Sequence, residues 1–218
     1  MISDTPMAGR PRPFLNRHYV LVMVTLIYVV NYMNRQIVNI LLPQIKAEFH
    51  LTDTQLGLLA GPVFAVVYAV LGLPLAQVAD RVNRRSLIAV TLALFSATTF
   101  LAGFVANFVQ LLVARFTTGI GEAGTSPAVS SMISDIYPPE QRATALGFYS
   151  GGLNIGLLIA FFGGGWFAEH YGWRAAFMAA GAPGVVLVFL FLFTVSDPGA
   201  ARPKASETPT RRPGFGPP

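Results

Sequence analysis

The sequence predicts an all-α integral membrane protein with six transmembrane helices, and two observations lead to this fold class. Hydrophobic residues make up 53% of the 218 residues and charged residues only 11%, against about 25% charged residues in an ordinary soluble protein. The 10 acidic and 15 basic residues are too few to give a soluble domain of this size a polar surface. The apolar residues also fall into long runs, each long enough to cross a bilayer core about 30 Å thick.

Six spans are predicted, each with about 20 or more mostly apolar residues. They cover residues 18–42, 55–78, 84–106, 108–133, 142–168 and 174–196. Pro43 is expected to end the first span, because proline interrupts helical hydrogen bonding. The charged segment 80–85 separates the second span from the third, and Pro138 with Pro139 separates the fourth from the fifth.

The two chain ends are expected to lie outside the transmembrane domain, which is residues 18–196. Residues 1–17 form a basic N-terminal tail, and no small-residue cleavage site follows the first apolar stretch, so we expect that stretch to be retained. Residues 197–218 are rich in Pro, Gly, Ser and Thr and lack an apolar face, which predicts a disordered tail.

The basic residues are distributed unevenly between the two sides of the membrane. If the N-terminus is cytoplasmic, eleven loop and tail bases lie inside the cell and two, Lys46 and Arg174, lie outside. The eleven are Arg10, Arg12, Arg17, Arg81, Arg84, Arg85, Arg142, Arg202, Lys204, Arg211 and Arg212. This bias predicts a multi-pass protein of the cell (inner) membrane with both termini in the cytoplasm. It also accounts for the net charge of +5 without a nucleic-acid partner.

Several function classes are disfavoured by what the sequence lacks. There is no cysteine, and His18, His50 and His170 are not spaced as metal ligands, so we expect neither a metal nor another cofactor. The segment 124–127, Gly-Thr-Ser-Pro, lacks the glycine that follows the serine in nucleophile motifs. The three histidines lie at or beyond the ends of the predicted spans and none lies in the interior of one to act as its base, so we do not expect an enzyme.

A weak internal repeat appears when the chain is shifted by 89 residues. Ala76, Asp80, Asn83 and Arg85 then align with Gly165, Glu169, Gly172 and Arg174. Each set connects the second and third helix of a group of three. The six spans are therefore predicted to form a 3+3 inverted repeat; the alternative is a chance similarity between two short polar loops.

The segment 80–85, Asp-Arg-Val-Asn-Arg-Arg, resembles the Gly-x-x-x-Asp-Arg-x-Gly-Arg-Arg signature between helices 2 and 3 of the major facilitator superfamily. Ala76 and Asn83 stand where that family usually has glycine. Four further segments are similar to its bacterial spinster-like branch: residues 31–36, 53–59, 119–127 and 171–177. The resemblance covers about residues 15–197. It implies the fold of the N-terminal six-helix half of a transporter with two such halves, and hence a half, a fragment or a subunit that needs a partner.

Two charged residues of the fourth span are candidate functional residues, because charges inside a membrane are costly and usually face a cavity or a partner. Arg115 precedes Glu122 by seven residues, so the two share one stripe with Gly119 between them, about 10 Å apart along the axis. The resemblance implies that this Arg and Glu face a central cavity, for anionic headgroups and proton coupling respectively. The alternative is an ion pair that holds the fourth span to a neighbouring helix.

The first span carries a second polar stripe. Asn31, Arg35 and Asn39 recur at i, i+4 and i+8, with Asn34 beside them. Spinster-like proteins commonly have aspartate at the position of Asn34, and an amide cannot release a proton. Three possibilities therefore stay open: Glu122 couples transport to protons alone, the protein is a facilitator, or it does not transport. Asn34 could equally serve only to hydrogen-bond between helices.

The loop between the second and third spans is expected to act as a conformational gate. The resemblance implies that Asp80 and Arg81, with Arg84 and Arg85, clasp the cytoplasmic ends of helices. Bases at the cytoplasmic edge of a span are, however, expected in any membrane protein.

Small residues predict close helix contacts at Gly57 and Gly61 in the second span and at Gly152 and Gly156 in the fifth. The run 163–165, all glycine, is expected to loosen the end of the fifth span.

The leading functional hypothesis is secondary transport of a small amphipathic or anionic solute, driven by protons or by the gradient of the solute. Its expected partners are the lipid bilayer, the solute and possible coupling protons. The alternative is an incomplete or non-transporting six-helix subunit, which needs a second six-helix half or a second copy of itself to function.

Overall fold

The computed structural model describes residues 16–195, apart from seven side chains between positions 73 and 81. These are the side chains of Leu73, Leu75, Ala76, Val78, Ala79, Asp80 and Arg81. The described chain is almost entirely helical. Its α-helices are α1 Arg17–Phe49, α2 Asp53–Ala60, α3 Pro62–Arg81, α4 Arg84–Leu101, α5 Phe108–Ile136, α6 Pro139–Leu158 and α7 Gly165–Thr194. A 3-10 turn, Ala102–Phe104, extends α4, and a π-helical turn, Ile159–Gly164, joins α6 to α7.

These helices form the six predicted spans. Within residues 16–195, four helical segments are long and apolar enough to cross a membrane, and the last of them, Pro139–Thr194, contains both the fifth and the sixth span. It bends at Gly172, whose φ of 81° is a left-handed conformation that favours glycine. The fourth span, α5, is not among the four, because Arg115, Glu122 and its small polar residues lower its mean hydropathy.

The prediction that Pro43 ends the first span is wrong. The helix α1 begins after Asn16, whose side chain accepts a hydrogen bond from the His18 amide at 3.2 Å, and it continues through Pro43 to Phe49. Proline removes one backbone donor, but tertiary contacts hold the turns that follow. Ile45 is fully buried there, and Gln44 Nε2 donates to the carbonyl of Ala168 at 2.9 Å.

The second span is broken, whereas the sequence predicts one helix over residues 55–78. The helix α2 ends at Ala60, and Gly61 has a non-helical φ of −150°. Pro62 then begins α3, a position where a proline costs no hydrogen bond because first-turn amides have no helical acceptor. The start of α2 is fixed by a capping box, in which Thr52 and Gln55 accept from each other's backbone amides at 3.3 and 2.9 Å.

The fifth and sixth spans also differ from their predicted bounds of 142–168 and 174–196. The fifth starts earlier, at Pro139, and its glycine-rich end forms the π-helical turn Ile159–Gly164 in place of regular α-helix. The helix α7 contains the end of the fifth span and, after the bend at Gly172, the sixth span. Glycine lowers the stability of regular helix, which accounts for the departure from α-helical geometry at this end.

Helix packing brings α1 against α6 and α7, α4 against α5 and α7, and α3 against α5. Gly152 and Gly156 of α6 lie directly against the backbone of α1, as the small-residue pattern predicts. At Gly57 and Gly61 no such contact is formed within the described part of the chain, where a Cβ at either position would have no atom within 4 Å.

Two apolar clusters fill the bundle, one towards each end. The cluster nearer Asn16 and Val195 includes Val24, Ile88, Met132 and Phe191. The cluster at the opposite end includes Ile37, Leu41, Leu111, Trp173 and Phe177. Along α1, α4 and α5 the residues between these two clusters include buried polar side chains. The middle of the bundle is therefore where the candidate functional residues lie.

Candidate functional site

Buried polar side chains occupy the middle of the bundle. Asn31 and Asn34 of α1 are 3% and 2% exposed, and Arg115 and Glu122 of α5 are 4% and 8% exposed. Burying such groups is unfavourable unless they are paired. Their position inside the bundle makes these four residues the candidates for a functional site.

Glu122 forms an ion pair with α1 and not with the arginine on its own helix. Arg35 Nη1 donates to Glu122 Oε1 at 3.1 Å. The side chain of Glu122 is 11% exposed and that of Arg35 is 41% exposed, so the pair reaches from the interior to an open surface. The second carboxylate oxygen, Glu122 Oε2, is buried and has no hydrogen-bond partner among the described residues. Glu122 therefore keeps one unused acceptor.

Arg115 is held by the break in the second span. The last carbonyl groups of a helix lack intrahelical donors, and Arg115 Nε donates to one of these in α2, the Leu59 carbonyl, at 3.1 Å. The Arg115 guanidinium lies 5.7 Å from the centre of the Phe64 ring, and the Arg35 guanidinium lies 4.6 Å from the same ring. One buried aromatic ring thus stabilises two cations from different helices.

These residues surround a polar cavity of about 200 Å³. It is lined by Tyr32, Arg35, Gln36, Asn39, Ala60, Gly61, Phe64, Ala65 and Arg115. The guanidinium groups of Arg35 and Arg115 face this cavity. The carboxylate of Glu122 pairs with Arg35 and is not part of the cavity lining. Arginine binds carboxylate, phosphate and sulfonate oxygens through several parallel donors. The cavity can therefore hold a small anion.

The family of the chain is decided by its sequence profile. The profile described as "Major Facilitator Superfamily" matches residues 24–216, which is most of the chain. The chain belongs to the Major Facilitator Superfamily. It is a membrane-spanning member of this family of transporters. Its spinster-like resemblance is confirmed by the solved structure described below.

Two curated relatives show how much of a full-length protein the chain represents. It is 35% identical over 193 residues to an "MFS-type efflux pump" of Mycolicibacterium smegmatis, covering 88% of this chain and 44% of that protein. It is 28% identical to the "D-galactonate transporter" of Escherichia coli O6:H1, covering 89% of this chain and 45% of that protein. The chain therefore spans about half the length of these facilitator-superfamily relatives.

A solved structure shows the same architecture. The crystal structure of a bacterial homologue of the human lysosomal transporter spinster, in an inward-facing and unoccupied conformation, superposes with a TM-score of 0.76 at 35% identity. The match covers 94% of this chain and 48% of that one. The fold is accordingly that of the N-terminal six-helix half of a major facilitator transporter.

Asn34 stands where the spinster-like resemblance implies an aspartate. Both polar atoms of its amide are buried and have no hydrogen-bond partner among the described residues, and the same is true of Asn31 Oδ1. The interhelical hydrogen bond that was one of the two equal alternatives for Asn34 is thus not formed within the described part of the chain. Asn39, four residues after Arg35, lines the polar cavity instead.

The segment between the second and third spans, where α3 ends and α4 begins, carries the superfamily signature and contacts the ends of two other helices. Arg84 Nη1 donates to Asp135 Oδ2 at the end of α5, and Arg85 Nη2 donates to the Leu192 carbonyl at the end of α7. We name these four residues the Arg85 cluster. The side chains of Asp80 and Arg81, which the sequence also assigns to the gate, lie outside the described residues.

A similar set of contacts fastens the opposite end of the bundle. Arg174 donates to Glu48 Oε1 and, at 3.0 Å, to the Val105 carbonyl, while Trp173 Nε1 donates to Glu48 Oε2 at 2.6 Å. We name these four residues the Arg174 cluster. Arg174 aligns with Arg85 in the 89-residue repeat. Arg85 lies at the start of the third span and contacts the end of the sixth, whereas Arg174 lies at the start of the sixth span and contacts the end of the third.

Sequence reasoning did not identify Phe64, Asp135 or Glu48. Phe64 lies in an unbroken apolar run, where nothing distinguishes a ring that contacts cations from one that packs in the core. Asp135 and Glu48 were detectable in principle, because each is an acid just beyond a predicted span and opposite a loop base.

Proposed function

We propose that this chain forms the N-terminal half of a proton-coupled secondary transporter of small anionic solutes. In this proposal Arg35 and Arg115 bind the anion, and Glu122 carries the coupling proton. One observation supports it above all others. Two arginines face a polar cavity inside an apolar bundle, and one of them is held by a buried carboxylate.

The ion pair gives a direct mechanism of coupling. While Glu122 is ionised, Arg35 is engaged by its carboxylate at 3.1 Å. A proton on Glu122 removes that negative charge and leaves the Arg35 guanidinium available to an anion in the cavity. Proton binding and anion binding therefore favour each other, and the coupling is reciprocal. Because Asn34 cannot carry a proton, this mechanism uses one carboxylate and not two.

The properties of the cavity support a small anion as the solute. Its volume of about 200 Å³ is below the roughly 300–1,000 Å³ of pockets for drug-sized ligands. Its lining combines arginines with Tyr32, Gln36 and Asn39, which suits the hydroxyl and carboxylate groups of a sugar acid. The relative named as a D-galactonate transporter has such a solute in its name.

The proposal includes a gate and an orientation. Asp80, Arg81, Arg84 and Arg85 would control access from the side of the chain termini, supported by the contacts of Arg84 and Arg85 with the ends of α5 and α7. Both termini would lie in the cytoplasm, with the protein in the inner membrane. Because the chain has no cysteine, single cysteines at Asn16 and Asp53 would test this orientation with an impermeant maleimide.

A second candidate is a six-helix subunit that binds the solute but transports it only together with a second half or a second copy. It is favoured by coverage, since the chain spans 44% of the efflux pump it resembles. Flux into lipid vesicles distinguishes the two. Proton uptake driven by galactonate in vesicles that contain this chain alone would support autonomous transport. If the protein is folded and no uptake occurs, the result would favour a subunit that needs a second half or a second copy.

Anion binding can be tested without transport. The thermal unfolding of purified protein would be followed with galactonate, a C4 dicarboxylate, a small sulfonate and, as a neutral control, glucose. We expect the anions alone to stabilise the protein. Arg115→Gln should abolish this effect, and Glu122→Gln should enlarge it at neutral pH because Arg35 is then free.

Asp53→Asn is the matched control for Glu122→Gln, because the Asp53 side chain is 90% exposed and pairs only with Lys46 in the described chain. It should bind anions as the unaltered protein does. Equal stabilisation by glucose and galactonate, or no change in the Arg115→Gln variant, would show that the cavity is not an anion site.

A further inference from the structure

A second cavity lies between α1 and α6, at the end of the bundle where both chain termini are found. Its volume is about 340 Å³, larger than the polar cavity. It is lined by His18, Leu21, Val22, Tyr137, Gln141, Thr144, Ala145 and Phe148. Val22 and Phe148 are 44% and 55% exposed, so it is open along the outer surface of the bundle. We name this cavity the α1–α6 groove.

The groove is amphipathic along its length. Leu21, Val22, Ala145 and Phe148 form an apolar floor that follows α1 and α6 into the membrane. At its rim, on the side of the chain termini, lie His18 of α1, Gln141 in the first turn of α6, and Tyr137, which joins α5 to α6. An apolar trough with a polar rim at a helix end matches the shape of a lipid, with its chain in the trough and its headgroup at the rim.

The rim carries positive charge. The Arg17 guanidinium lies 5.6 Å from the centre of the Tyr137 ring, and Arg142 Nε donates to the Tyr137 carbonyl at 3.0 Å. Burial raises the pKa of the Tyr137 hydroxyl, although Arg17 acts in the opposite direction. The phenol therefore adds no negative charge at neutral pH.

Two acids are close to this rim in sequence. Asp135 pairs with Arg84, and Glu140 is exposed in the first turn of α6, one position before the groove residue Gln141. Among the described residues, no ion pair joins Glu140 to Arg17 or Arg142. Glu140 therefore neutralises neither base.

We propose that the α1–α6 groove binds an anionic phospholipid of the surrounding leaflet, with one acyl chain on the apolar floor and the headgroup between Arg17, His18 and Arg142. The charge of the rim selects an anionic over a zwitterionic headgroup, because each base near a membrane surface favours anionic lipid by about fivefold. The site shares no residue with the polar cavity. It stands whether or not the chain transports a solute.

The test is lipid retention by the whole chain, measured by native mass spectrometry after release from detergent micelles. Phosphatidylglycerol and phosphatidylcholine with identical acyl chains are supplied in equal amounts. We expect phosphatidylglycerol to be retained preferentially. Arg17→Gln and Arg142→Gln should each lower that preference about fivefold, while Lys46→Gln, a base at the opposite end of the bundle, should leave it unchanged.

Two further variants separate a lipid in the groove from lipid elsewhere. Thr144→Phe fills the groove from an exposed position and should reduce retention of both lipids, with circular dichroism and the unfolding midpoint showing that the protein is folded. Glu140→Gln removes the nearby acid and should raise the preference for phosphatidylglycerol. Equal retention of the two lipids by the unaltered protein, or no effect of Thr144→Phe, would overturn the proposal. A dimer that Thr144→Phe dissociates would likewise overturn it, since a second copy would then cover the groove.

Discussion

Related side-chain contacts join the helices at the two ends of the bundle, and these contacts differ in how deeply the side chains are buried. In the Arg85 cluster two neighbouring arginines have separate partners, and the Arg84 and Asp135 side chains are 20% and 16% exposed. In the Arg174 cluster a single arginine binds both a carboxylate and a carbonyl, and the Arg174 and Glu48 side chains are 36% and 44% exposed. Each end of the bundle thus has one of these two clusters, and the side chains of the Arg85 cluster are more buried than those of the Arg174 cluster.

This difference predicts that the two fastenings contribute unequally to stability. A largely buried ion pair leaves an uncompensated charge when one partner is removed, whereas an exposed pair is screened by water. The end with the chain termini should accordingly be the more rigid, and the opposite end the more easily opened. Four substitutions test this comparison, and each would be measured as a change in unfolding free energy in the same detergent.

Asp135→Asn should have the largest effect. It leaves the Arg84 guanidinium without its carboxylate at a site where both side chains are mostly buried, and we expect a loss of about 2–3 kcal/mol. Glu140→Gln, an exposed acid five residues later, is the control and should change stability by less than about 0.5 kcal/mol. Similar losses in the two variants would mean that the Arg85 cluster does not fasten the bundle.

Gly172→Ala tests the backbone at the opposite end. Gly172 has a φ of 81° and a ψ of 165°, a backbone region that is populated almost only by glycine and where a side chain costs about 1–3 kcal/mol. No atom of the described residues lies within 4 Å of the Cβ that alanine would add, so the loss would come from the backbone alone. Gly147→Ala, in the middle of α6 and also without a neighbour within 4 Å, should instead be neutral or stabilising.

Glu48→Gln should cost about 1 kcal/mol, less than Asp135→Asn, because the pair is exposed and the amide can still accept from Trp173. Added salt at about 0.5 M should reduce the difference between this variant and the unaltered protein, since exposed charges are screened. The emission of Trp173, isolated by replacing Trp166 with phenylalanine, reports the local change. A loss equal to that of Asp135→Asn would remove the distinction between the two ends.

Asn83→Gly should have the smallest effect. Asn83 Oδ1 accepts from the Ser86 amide at 3.0 Å and caps α4, and glycine at this position costs only a few tenths of a kcal/mol. Asn83→Ala should cost more, about 1 kcal/mol. If glycine were as damaging as alanine, the side chain and not the backbone would determine the geometry of this loop.

The sequence predicted the family, the six spans and the segment that separates the second span from the third, because apolar runs and a charged loop are local signals. It did not predict the break at Gly61, since a glycine followed by proline within an apolar run is compatible with a bent continuous helix as well as with two helices. Nor did it predict that α1 continues past Pro43, because the contacts of Gln44 and Ile45 that hold those turns involve distant parts of the chain.

The candidate site was predicted in composition but not in pairing. Arg35, Arg115 and Glu122 are visible as charges within spans. That Glu122 pairs with Arg35 across two helices, and not with Arg115 along one, depends on how α1 packs against α5. The role of Phe64 between the two arginines has the same origin. Periodicity places residues on a face of a helix, and it cannot say which other helix that face meets.

The hydrogen bond from Arg115 to the Leu59 carbonyl restricts which residues this position can tolerate. Arginine uses Nε to complete the backbone hydrogen bonding of a neighbouring helix and still has two Nη groups at the cavity. A lysine has one charged nitrogen, which would have to serve both the carbonyl at the helix end and the anion. The interruption in the second span thus makes arginine and lysine unequal at position 115, although both carry the same charge.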